Sequence, residues 1–274
     1  MDLGTVDLAL LAVLLVFTGA VAGVLAGLLG VGGGIVIVPV LFWVFEALDF
    51  PAETSMSVAV ATSLATIVPT SISSARAHRL KGNLDAALFR RWAPFVFAGA
   101  FAGGLLSFVL DGSDLRLVFG VVALLVAVNM AVPRTLVLLS DLPRSSVAQG
   151  GIAGGIGVFS ALMGIGGGTL SVPILSLFSF PTHRAVGTAA AFGLVIAVPA
   201  VAGFVLSGWS APLRPPWSLG YVNVPAALII FPVTTLVAPW GARIAHALPA
   251  KQLKLLFALF LGITAARMLW SALA

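Results

Sequence analysis

From residue 8 to residue 270 the chain is a series of ten apolar segments, with nearly every charged residue in the gaps between them. The segments are 8–29, 35–48, 54–74, 92–110, 115–132, 147–163, 169–180, 185–206, 222–239 and 253–270. A helix needs about 20 mostly apolar residues to cross a bilayer. Eight of the segments approach that length, and 35–48 and 169–180 fall short of it. The short pair fits half-helices or helices that enter the membrane and return. Only 8% of the 274 residues are charged, against roughly a quarter in a soluble domain. Such a chain cannot cover a surface facing water, so the expected fold is an all-α polytopic membrane protein with the lipid bilayer as its surroundings.

The charges also report orientation. With the N-terminus placed outside, the inner gaps and their edges hold Arg76, Arg79, Lys81, Arg90, Arg91, Arg134, Arg144, Arg184, Arg243, Lys251 and Lys254. Glu46, Asp49, Glu53, Asp111 and Asp114 fall on the outer side. This is the positive-inside pattern, and Arg116, Arg214 and Arg267 are its exceptions. The net charge of +5 therefore reads as orientation rather than as affinity for nucleic acid. The acidic start MDLGTVD lacks the positive n-region of a secretory signal, so the first segment is expected to stay as a membrane helix. There is no cysteine, which removes disulfides and thiolate chemistry. His78, His183 and His246 are scattered at segment edges, so a metal site is not expected.

The chain repeats itself. AGLLGVGGGIVIVPVL, residues 26–41, aligns with SALMGIGGGTLSVPIL, residues 160–175, with eight of sixteen positions identical. A second alignment sets Gly82, Pro94 and Gly103 against Gly220, Pro232 and Gly241. Val60-Ala61-Thr62 likewise matches Val186-Gly187-Thr188. We therefore expect a first membrane repeat over 1–132, a cytoplasmic linker over 133–146 and a second repeat over 147–274. Five segments in each repeat, an odd number, would make the second run opposite to the first. Many secondary transporters are built this way, with the substrate site at the repeat interface near mid-membrane.

The glycine motifs have a chemistry of their own. Three consecutive glycines leave backbone N–H groups uncovered, and a helix beginning just beyond them aims its free donors and its positive dipole end at the loop. Irregular backbone at membrane depth is tolerated only where protein buries it or a cavity borders it. Gly32, Gly33 and Gly34 in the first repeat, and Gly166, Gly167 and Gly168 in the second, are thus candidate donors to an anion. Thr169, Thr62, Ser63 and Thr188 are candidate hydroxyl contacts. Two plainer uses exist for the same residues. Glycines serve close helix packing, and helical Ser or Thr often bonds its own backbone. No Asp or Glu lies deep in a segment, which disfavours a cation as substrate and names no coupling residue.

These elements resemble the TauE/SafE family of sulfite exporters. The resemblance rests on GVGGG…VP and GIGGG…VP, AVAT and AVGT, KGNLD after the third segment and GYVNVP…GARIA near the end. It implies an inner-membrane transporter that exports sulfite, an organosulfonate or a similar small anion by alternating access, without a cofactor. The second motif departs from the first, with Thr169 and Ser171 in place of Ile35 and Ile37. An anion channel or a permease for another small anion remains the alternative. An enzyme is disfavoured because no catalytic constellation lies at membrane depth. The small-residue run from Gly99 to Gly104 suits packing within one bundle or between two copies in a homodimer.

Overall fold

The computed structural model describes residues 5–29, 33–131, 139, 141–247 and 250–273. Among these, ten helices and one short hairpin form the regular structure. The first five helices are α1 (Thr5–Leu29), α2 (Gly34–Ala47), α3 (Ala52–Leu80), α4 (Ala86–Leu106) and α5 (Gly112–Ala131). The second five are α6 (Ser146–Leu162), α7 (Gly167–Leu177), α8 (Thr182–Ser207), α9 (Val224–Ala247) and α10 (Ala250–Leu273). Most of the expected linker, 133–138 and 140, lies outside the described residues.

Four helices, α3, α5, α8 and α10, are long and apolar enough to cross a membrane among the described residues. The two short segments are short helices. At 1.5 Å per residue, the 14 residues of α2 and the 11 of α7 reach about 21 and 17 Å, well under the roughly 30 Å of hydrocarbon. Helix α3 outruns its apolar segment, reaching Leu80. The charged stretch after Ser74 is helix-compatible, and His78 and Arg79 suit the negative end of the dipole. Helix α4 starts six residues before its apolar segment because Asp85 caps it, accepting from Leu88 N at 2.9 Å.

One element departs from an all-helical chain. Ser218–Leu219 (β1) pairs antiparallel with Val222–Asn223 (β2) around Gly220 and Tyr221. Gly220 takes a left-handed φ of 57° against the backbone of Val205, where a side chain would have neither the conformation nor the room. The hairpin delivers Asn223 to the start of α9, where its Oδ1 accepts from Ala226 N at 3.0 Å.

Helix α3 is the centre of the bundle. Met56, Val58, Ala59, Val60, Ala61 and Leu64 are fully buried, and α3 packs on α2, α5, α8 and α9. Leucines of α5 and α10, Leu124, Leu125, Leu255 and Leu259 among them, face outward, as a lipid-facing surface requires. Lipid gives helices no hydrophobic reason to associate, so close approach through small residues takes over. Gly104 of α4 shows this against α8, since a Cβ there would stand 2.7 Å from Ala200 O and 3.1 Å from the Gly203 Cα.

Positions that the sequence alignments equate make matching contacts with partners exchanged. Helix α1 packs on α9, and α6 packs on α4. Within them Gly23 abuts the carbonyl of Thr234, and its counterpart Gly157 abuts the carbonyl of Val96, the counterpart of Thr234. After α2 and α7 the turns also agree. Phe50 N donates to Phe45 O at 3.1 Å and Phe180 N to Leu175 O at 3.2 Å, with Asp49 and Ser179 both left-handed.

Candidate functional site

The site begins with a break in helical backbone that protein surrounds completely. Every residue from Ser160 to Gly167 is buried, although 163–166 is not helical. A loop buried in this way must find partners for its polar groups. Part of the answer is local: Gly164 N and Ile165 N donate to Ala161 O and Ser160 O at 3.1 and 3.0 Å. Part comes from the other half of the chain, where Ser63 Oγ of α3 donates to Gly164 O at 2.7 Å. Gly164 is left-handed, with φ at 66°, and lies so close to Val60 that a Cβ would come within 2.9 Å of the Val60 Cα.

The second glycine motif lies directly on the first. A Cβ on Gly34 would stand 2.6 Å from Gly164 O and 3.0 Å from the Ile165 Cα. Ile67 of α3 touches both motifs, with Cδ1 3.0 Å from the Gly34 position and Cγ2 3.6 Å from the Gly166 position. On its far side Gly167 presses on α8 at Ala189, Phe192 and Gly193. The starts of the two short helices are therefore brought together between α3 and α8.

Both helix starts lack a side-chain cap. Gly33 precedes α2 and Gly166 precedes α7, and neither can cap with a side chain. Helices α3 and α8 also start without a side-chain cap, behind Pro51 and Pro181, whereas Asp85, Ser145 and Asn223 each cap their helices through a side-chain oxygen. An uncapped helix start carries free N–H donors and about half a positive charge. Ser63, Thr66 and Ser71 add hydroxyls on the facing helix. The lining is neutral, so any charge preference comes from backbone dipoles and hydroxyls.

The residues singled out in the sequence divide into two groups. Gly34, Ser63, Gly166 and Gly167 meet around this junction, with Gly168 and the buried Thr169 in the first turn of α7; Gly33 adjoins it in the chain but faces Ala22 of α1 and Thr234 of α9. Gly32 lies outside the described residues. Thr62 and Thr188 serve elsewhere. Thr62 Oγ1 accepts from Asn223 N at 2.9 Å, and Thr188 Oγ1 accepts from Asp85 N at 3.0 Å. Asn223 and Asp85 are themselves equated by the second alignment, so each threonine clamps the equivalent helix cap of the other half. Two contributors were not singled out. Ile67 and Ser71 follow Ser63 at i+4 and i+8, and Ser71 Oγ meets Gly193 beside Gly167. That spacing puts all three on one helix face.

The fold and this junction define the class: a multi-pass α-helical membrane protein whose irregular backbone is enclosed where two short helices start. Comparison with known proteins narrows it. Residues 15–268 match the family model described as sulfite exporter TauE/SafE, and the chain belongs to that family. It is 37% identical over 257 residues to a "Probable membrane transporter protein" of Haemophilus influenzae, covering 93% of this chain and 97% of that one. It is 29% identical over 263 residues to a protein of the same description from Methanocaldococcus jannaschii, covering 93% and 94%. A Bacillus subtilis protein so described is 26% identical over 283 residues, covering 95% and 98%. No solved structure matches the chain at a significant level. The protein is a membrane transporter and not an enzyme.

Proposed function

We propose that this transporter exports a small sulfur-containing anion, sulfite or a sulfonate such as sulfoacetate, across the inner membrane by alternating access. The observation that carries the reading is the junction of two uncapped helix starts on enclosed backbone, where Gly34 lies against Gly164 and Ile165. Gly32–Gly34 and Gly166–Gly168 supply backbone donors, Thr169 adds a hydroxyl, and Ser63 holds the second loop in place through Gly164 O. A helix start contributes about 0.3–1 kcal/mol to an anion, more when shielded from water, and such interactions strengthen away from bulk solvent. The site thus suits one small oxyanion and needs no charged side chain.

The exchanged contacts of α1·α9 with α6·α4, and the paired clamps at Thr62 and Thr188, support two repeats of opposite topology. In this arrangement the N-terminus lies outside, and two bodies, each drawn from both repeats, rock about the shared junction. The test is sulfite flux in proteoliposomes, comparing the native chain with Gly33→Leu and Gly167→Leu. The native chain should give saturable flux, and both variants should lose it while still inserting and remaining monodisperse. Native-like flux in both variants would overturn the site. Flux linear in sulfite, with steady conductance in a planar bilayer, would overturn alternating access.

A further inference from the structure

One buried charge takes no part in the junction. Arg116 lies in the second turn of α5 and retains only 8% of its accessible surface. Its Nε is buried without a hydrogen-bond acceptor. Among the described residues no carboxylate stands within 4.0 Å of it, the ion pair there being Arg184 with Asp85. Its guanidinium carbon lies 5.7 Å from the ring centroid of Phe42 in α2. The next residue, Trp43, takes the guanidinium of Arg267 from α10 at 5.1 Å.

These two cations share one end of the bundle. Gly120 of α5 meets Leu269 of α10, 2.7 Å from where a Cβ would stand to Cγ. The beginning of α5 and the last turns of α10 therefore lie side by side, next to the second half of α2. Stacking occupies the face of a guanidinium and leaves the N–H fork at its edge. A ring satisfies the charge but accepts no conventional hydrogen bond from that fork. The carboxylates of this end do not fill the gap. Glu46, Asp49, Glu53 and Asp111 are exposed, and Asp114 is half-buried. Asp111 is engaged by Ser113 and by Asp114 N, and Arg116 acts on it through its field without an ion pair inside 4.0 Å. A guanidinium whose Nε is buried without an acceptor, and which has no carboxylate within 4.0 Å, is the arrangement that an oxyanion completes.

We propose that Arg116, assisted by Arg267, forms an oxyanion subsite separate from the glycine junction. The ligand is a sulfo- or phospho-oxyanion, either free in solution or carried by a phospholipid headgroup. The subsite does not depend on the transport reading.

The experiment uses the full chain, delipidated in detergent. Calorimetric titration with sodium sulfite tests the free anion, and native mass spectrometry after adding phosphatidylglycerol tests the headgroup. The native protein should bind at least one probe at this subsite. Arg116→Gln should weaken that binding about tenfold to a hundredfold, the loss of a hydrogen bond to a charged group. Arg116→Lys should fall between, because it keeps a charge and loses the fork. Arg267→Gln should weaken binding less. If Arg116→Gln does not fold, Arg116→Lys and Phe42→Leu decide, and both must bind more weakly than the native chain. Unchanged affinity in the variants that fold, or no binding of either probe by the native protein, overturns the proposal. Gly33→Leu separates the two sites, since it should abolish transport and leave this binding intact.

Discussion

Gly34→Ala tests the contact between the glycine motifs with a single added carbon. That carbon would stand 2.6 Å from Gly164 O, where ordinary contact begins at 3.4 Å, so the backbones must part by 3.4 − 2.6 = 0.8 Å. Gly164 has no slack to give. Its carbonyl is held by Ser63 at 2.7 Å, and its own α-carbon is wedged against Val60 and Val38. Overpacking of a filled interior costs about 1–3 kcal/mol. For a chain of this size each kcal/mol lowers the melting temperature by roughly 2–4 °C, so the expected drop is about 2–12 °C. Gly155→Ala is the matched control, since it lies within α6 with nothing inside 4 Å of its new carbon. There the higher helix propensity of alanine should stabilise by up to about 1 kcal/mol. Thermal unfolding followed by tryptophan fluorescence in detergent separates the two. If Gly34→Ala melts with or above Gly155→Ala, the two motifs do not touch as described.

Two further outcomes follow from individual hydrogen bonds. Thr62→Val and Thr188→Val each leave a backbone N–H, of Asn223 and of Asp85, without its acceptor; each should cost about 1–3 kcal/mol, and the double variant should show nearly the sum in the same melting assay. Asp111 has its carboxyl held below the usual range by the Ser113 hydroxyl and then by the Asp114 amide. A depressed folded value gives stability that is present above the unfolded value of 3.8 and is lost as pH falls through the folded one. Asp111→Asn should therefore lower the melting temperature slightly at neutral pH, and its gap from the native chain should close as pH falls below about 3.8.

How much of this was legible in the sequence depends on how local the signal is. The helical membrane fold follows from apolar segments that water would not tolerate, and the glycine motifs stand out because the chain writes them twice. The hairpin was not legible. PLRPPW, residues 212–217, has no period, and its prolines allow a turn without specifying the two-residue pairing that follows. The threonines were legible as a pair and not as clamps. Recurrence marks Thr62 and Thr188 as equivalent, but a hydroxyl's partner is fixed by tertiary placement, here 161 and 103 residues away.

That distance has a mechanical consequence. Each clamp ties a central helix of one half to a helix cap of the other, Thr62 of α3 to the α9 cap and Thr188 of α8 to the α4 cap. A motion that moved one half as a rigid block away from the other would break both bonds together and strand two amides. A motion that keeps α3 with the start of α9, and α8 with the start of α4, breaks neither. The moving bodies of this transporter should therefore be drawn across the halves. The junction of Gly34 with Gly164 lies where those bodies meet, so a change at either glycine should reach transport and stability together.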